Sequence, residues 1–130
     1  MKKILVLLLI VLSFSGCEND DNDSITGNWK VQSTLNGEIQ SNTLDECDAN
    51  IVYHFDSNKD FWKDGPEITS SGYICQPALG GTWKKISGTT YALMNHGAMF
   101  IEIVKVNKDT IIFQNIDSYP DDFKKILVRQ

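Results

Sequence analysis

Asp56-Ser57-Asn58-Lys59-Asp60-Phe61-Trp62-Lys63-Asp64-Gly65-Pro66-Glu67 carries oxygen-bearing side chains at positions 1, 3, 5, 9 and 12. That is the spacing with which a twelve-residue loop wraps calcium. The sharp turn of such a loop requires Gly at position 6, and Phe61 stands there. Pro66 precedes the last would-be ligand, and no helical pattern flanks the segment. The expectation is a β-hairpin turn at Ser57-Asn58-Lys59 that leads into a strand carrying Phe61 and Trp62. The two histidines, His54 and His96, have no serine or cysteine placed by motif to use them as a base. Asp121-Asp122 reads as solvated loop charge. No catalytic residues, metal ligands or cofactors are assigned, and the chain is read as a non-enzyme.

Cysteine has more to say. The chain holds three, at 17, 47 and 75. Cys47 and Cys75 lack the close C-x2-4-C or H-x3-5-H spacing of structural zinc sites, which weighs against zinc with His54 and His96. A Cys47–Cys75 disulfide is expected instead. It would close a loop of about thirty residues, worth roughly 3–4 kcal/mol on the chain-entropy account.

Cys17 belongs to a different segment. Lys2 and Lys3 precede the uninterrupted apolar run Ile4 to Leu12, followed by Ser13-Phe14-Ser15-Gly16. Charge, a short apolar core and small residues before a cut make a secretory signal over residues 1–16. The run falls short of the about 20 residues needed to span a bilayer. Phe14-Ser15-Gly16-Cys17 resembles a bacterial lipobox, although Leu is commoner than Phe at the first position. The resemblance implies that Cys17 is lipidated and becomes the new N-terminus; two acyl chains suffice for stable anchoring. Residues 17–24 then form an acidic tether, since clustered like charges repel and bury nothing. An acidic stretch behind such a cysteine is similar to the export signal of Bacteroidetes surface lipoproteins. It implies an outer-membrane, surface-exposed protein, with a periplasm-facing anchor as the alternative.

The domain at 25–130 is only mildly acidic. The whole chain has 12 basic and 17 acidic residues. Without Lys2 and Lys3 the balance is 10 against 17, and without Glu18, Asp20, Asp21 and Asp23 as well it is 10 against 13. No basic patch suggests nucleic acid. The length suits one core and a monomer.

Short β-rich runs separated by turn residues dominate the domain: Asn28–Leu35, Ile51–Asp56, Asp60–Asp64, Ser70–Cys75, Gly81–Ile86, Thr89–Asn95, Met99–Val106, Thr110–Asn115 and Phe123–Arg129. Hairpin-sized links such as Ser87-Gly88, His96-Gly97 and Asn107-Lys108-Asp109 require antiparallel neighbours. Trp29, Val31, Ser33 and Leu35 share one face; so do Ile51, Tyr53 and Phe55, then Met99, Ile101 and Ile103, then Ile111 and Phe113. The prediction is an all-β, up-and-down antiparallel eight-stranded β-barrel. One helical turn over Thr43–Glu46, capped by Ser41 or Asn42, interrupts the long polar link 36–50.

Gly27-Asn28-Trp29 resembles the Gly-x-Trp signature of lipocalins. Together with the two cysteines, Phe55-Asp56, Gly81-Thr82-Trp83 and the paired hairpins, the chain is similar to short lipocalin-like (calycin-type) domains of Bacteroidetes lipoproteins. The likeness spans most of residues 25–130. It implies that Trp29 plugs a closed barrel end with an arginine from the last strand over it, and Arg129 is the only arginine. The chain is shorter than true lipocalins and lacks room for their C-terminal helix.

Tyr53, Phe55, Trp83, Tyr91, Leu93, Ile101, Ile103 and Phe113 are the expected interior lining, with Ser33 or Asn115 as polar orienting groups. The functional expectation is a lipid-anchored barrel that binds a small hydrophobic or amphipathic ligand. The alternative is a protein-binding or enzyme-inhibitor lipoprotein acting through an exposed loop, with Pro66–Pro77 as the candidate.

Overall fold

The computed structural model describes residues 24–72, 74–75, 80–117 and 119–130. The signal segment, Cys17 and most of the acidic tether lie outside the described residues. The elements are β1 (Gly27–Asn36), β2 (Ile39–Ser41), α1 (Glu46–Asn50), β3 (Val52–Phe55), β4 (Asp60–Asp64), β5 (Gly81–Ser87), β6 (Thr90–Asn95), β7 (Ala98–Asn107), β8 (Thr110–Gln114) and β9 (Phe123–Arg129).

Eight of these strands, β1 and β3 to β9, follow one another around a closed antiparallel barrel in chain order. β9 returns to β1 through a register running from Trp29↔Arg129 to Asn36↔Phe123. The fold is the expected up-and-down barrel, consistent with a lipocalin-like, calycin-type architecture. Closure follows from patterning: each strand puts alternate apolar side chains on one face, and a sheet curled around that face leaves no free edges. The core cluster is drawn from residues 25–127, including Trp29, Phe55, Trp83, Tyr91, Ile103, Phe113 and Leu127. Residues 24–130 therefore carry their own core and fold as a unit.

Single-residue bulges adjust the curvature. One falls between Val31 and Ser33, and another opposite Leu93 and Met94, where Phe100 is the extra residue. The second corrects the sequence expectation for β7. Met99 pairs with Met94 and is half exposed, out of phase with Ile101 and Ile103.

Three further expectations need correction. β2 forms a small hairpin with the far end of β1 that the sequence did not signal, because all three of its residues are exposed. The helix begins at Glu46, three residues later than expected. Asp45, in extended conformation, caps it by accepting from Asp48 N at 2.7 Å, whereas Ser41 Oγ accepts from Thr43 N. Among the described residues of Ser70–Cys75, Ile74 forms an isolated bridge with Ile68 and no strand is present. The Asp56–Asp60 hairpin forms as read, with Lys59 at φ 74°.

Cys47 on α1 is disulfide-bonded to Cys75, with Cα atoms 5.5 Å apart. Glu46 adds a second tie, accepting from Ser70 N at 2.6 Å and Ser70 Oγ at 2.8 Å. Together they hold α1 against the irregular loop after β4. Replacing both cysteines by serine is expected to lower the unfolding free energy by roughly 3–4 kcal/mol, read from urea midpoints.

Candidate functional site

The two ends of the barrel differ. At one end Trp29, fully buried, donates from Nε1 to Ile25 O at 2.9 Å. The Arg129 guanidinium lies 4.3 Å over the Trp29 ring, donates from Nε to Lys108 O at 2.8 Å and from Nη1 to Thr26 O. Gly27 has φ 133°, and a Cβ there would meet Arg129 Nη1 at 2.5 Å. The glycine of Gly-x-Trp thus serves both the backbone and the arginine's approach. Nearby, Lys59 Nζ sits 3.9 Å over Trp83, whose Nε1 donates to Asp56 O at 3.0 Å. This end is sealed.

The opposite end holds an open cavity of about 380 Å³. Register places it there: the β6–β7 turn, α1, the end of β4 and the loop before β9 all lie at the end of the barrel away from Trp29. Tyr53, Phe61, Phe100, Ile101, Phe113 and Ile116 form its apolar wall. Tyr53 meets Phe113 edge-on at 5.1 Å and stacks with Phe61 at 6.1 Å. Of the eight lining residues expected from sequence, Tyr53, Ile101 and Phe113 face this cup. Phe55, Trp83, Tyr91, Leu93 and Ile103 are buried core, because large side chains fill the half of the barrel toward the sealed end.

The polar groups are not the expected ones. Ser33 is fully buried and accepts from Gln40 Nε2 at 3.2 Å; Asn115 donates to Glu102 Oε2 at 3.3 Å; neither lines the cup. Instead two lysines reach it, Lys63 from β4 and Lys125 from β9. Lys125 is buried and donates to Asp48 Oδ1 at 2.7 Å. Burial alone would lower its pKa, but Tyr53 and Asp48 outweigh that and leave it raised. Lys63 is lowered, first by desolvation and then by the Lys125 cation. Strand parity could have found both, because Lys63 shares a face with Phe61 and Lys125 with Leu127.

Burial pushes the Tyr53 phenol up to about 12, with Lys125 opposing the rise. The unfolded chain releases this proton near pH 10, so between about pH 10 and 12 it binds fewer protons than the folded chain and stability falls as pH rises. The raised Lys125 acts in the same direction. Unfolding free energies from urea titrations should drop across that window, by about 2–3 kcal/mol from Tyr53 alone, and Tyr53→Phe should flatten the drop.

His54 lies on the outer wall. Its Nδ1 is 2.7 Å from Asn28 Oδ1, and its ring stacks on Trp62 at 5.0 Å. Its Nε2 comes within 2.9 Å of Asp64 Oδ2 without hydrogen-bond geometry, so the contact is ionic only if the ring is protonated. His96 sits at the cup's rim. Among the described residues, no group of three His, Cys, Asp or Glu side chains is arranged to hold a metal ion. No family model, no curated protein and no solved structure matches the chain.

Proposed function

We propose that the chain is a non-enzymatic lipoprotein of the bacterial envelope, anchored through Cys17, whose barrel binds one small hydrophobic or amphipathic ligand. The cup carries this reading. It is concave, largely apolar, sits at a barrel mouth and brings a few polar groups together, the usual character of a small-ligand site. Its volume is at the low end of the roughly 300–1,000 Å³ range of such sites.

The chain enters the barrel at the sealed end, where Lys105 Nζ donates to Ser24 O at 3.3 Å. A tether running from Ser24 back to a lipidated Cys17 would leave the cup facing away from the membrane. Cell-surface display is proposed on the likeness of the acidic tether to the export signal of Bacteroidetes surface lipoproteins, with a periplasm-facing anchor as the alternative. Acylation is tested by intact-mass measurement of the mature protein, and display by protease shaving of whole cells.

Ligand binding is tested with N-phenyl-1-naphthylamine, a neutral fluorescent probe. Residues 24–130 should bind it saturably at one site, and Ile101→Trp, which fills the cup, should weaken binding at least about tenfold. Equal binding by the variant would overturn the reading. The competing reading, a protein-binding lipoprotein, is favoured by the exposed pair Ile68 and Ile74 on the disulfide-tied loop.

A further inference from the structure

We propose, resting on the cup as a ligand site, that its ligand is an anionic amphiphile, with an apolar body in the aromatic bowl and a carboxylate headgroup at Lys63. The two lysines of the cup are not equivalent. Lys125 has its counter-ion within the protein, Asp48, at 2.7 Å. Lys63 is half-buried, and no ion pair with it is formed among the described residues. Asp117, the carboxylate among the described lining residues, is exposed at the rim.

An ammonium drawn partly out of water, beside a Lys125 already paired with Asp48, gains from an anion brought to it. A carboxylate at Lys63 supplies that charge and also feels Lys125 behind it. A neutral amphiphile of the same length leaves Lys63 as it is. A cationic one adds a second positive charge without a counter-ion to a confined space. The bowl complements this head: Tyr53, Phe61, Phe100 and Phe113 offer ring faces and edges, suited to an alkyl or aromatic body.

The test compares octanoate with octan-1-ol, matched in chain length, by isothermal titration into residues 24–130 at pH 7. Wild type should bind octanoate about tenfold tighter, the scale of a hydrogen bond to a charged group. Lys63→Met should remove the preference, bringing the ratio of octanoate to octan-1-ol affinity to about one, and Lys63→Arg should keep the preference. Equal wild-type affinities, or a tighter alcohol, overturn the inference while the cup remains a ligand site. A preference that survives Lys63→Met overturns the assignment to Lys63. Failure of both compounds to bind counts against the cup itself, and the inference falls with it.

Discussion

Asp48→Ala is expected to lower the unfolding free energy by about 3–5 kcal/mol, the cost of leaving a buried charge without its partner. Asp48 and Lys125 have side chains only 9% and 11% exposed, and their 2.7 Å contact joins residues 77 positions apart in sequence. The large effect comes from the lysine left behind rather than from the bond itself. The double variant Asp48→Leu with Lys125→Met should therefore recover most of the loss, since a buried ion pair replaced by apolar groups of similar size is often neutral. Urea denaturation of the single and double variants decides this. A single-variant loss below about 1 kcal/mol would mean that Lys125 swings into the solvent of the cup and needs no partner.

Trp29→Ala is the other large loss, about 3–5 kcal/mol. The indole is fully buried and makes its hydrogen bond to Ile25 O, so truncation opens a void and orphans an acceptor at the sealed end. Arg129→Ala should cost less, about 0.5–2 kcal/mol, because the guanidinium covers Trp29 from outside and stays partly solvated. Equal losses would mean that the arginine, not the indole, seals the barrel. Thermal and urea unfolding of both variants give the ordering.

The strands were legible because period-two alternation is a local signal that the barrel reuses around its whole circumference. Trp29 and Arg129 were legible only through their likeness to Gly-x-Trp proteins; nothing in their spacing states that residues 100 positions apart meet. What escaped has physical reasons. β2 alternates nothing, since all its residues face solvent. The cap moved to Asp45 because the acceptor that reaches Asp48 N decides it, and the candidate at Ser41 found Thr43 N nearby. Met99 fell out of phase because the bulge at Phe100 cannot be read from alternation alone.

The cup was half legible. Tyr53, Phe61 and Phe113 of its wall follow from parity, whereas Phe100 enters through the bulge; its depth does not follow, because volume depends on how far Trp83 and Tyr91 fill the barrel from the other end. The lysines carry no motif; only strand parity places them. Counting back by twos from Leu127 places Lys125 inside, and counting on from Phe61 does the same for Lys63. An inward lysine in a small barrel is a functional signal, since it costs stability unless something answers its charge.

The central claim is an asymmetric barrel, sealed at Trp29 and open to a ligand at the far end. Methyl NMR of isoleucine-labelled residues 24–130, titrated with octan-1-ol, tests it most directly. Ile101 and Ile116 line the cup, whereas Ile25 and Ile111 are buried toward the sealed end. Saturable shifts confined to Ile101 and Ile116 are the predicted result. Shifts centred on Ile25 and Ile111, on the exposed Ile86 of the outer wall, or on none of these would contradict it.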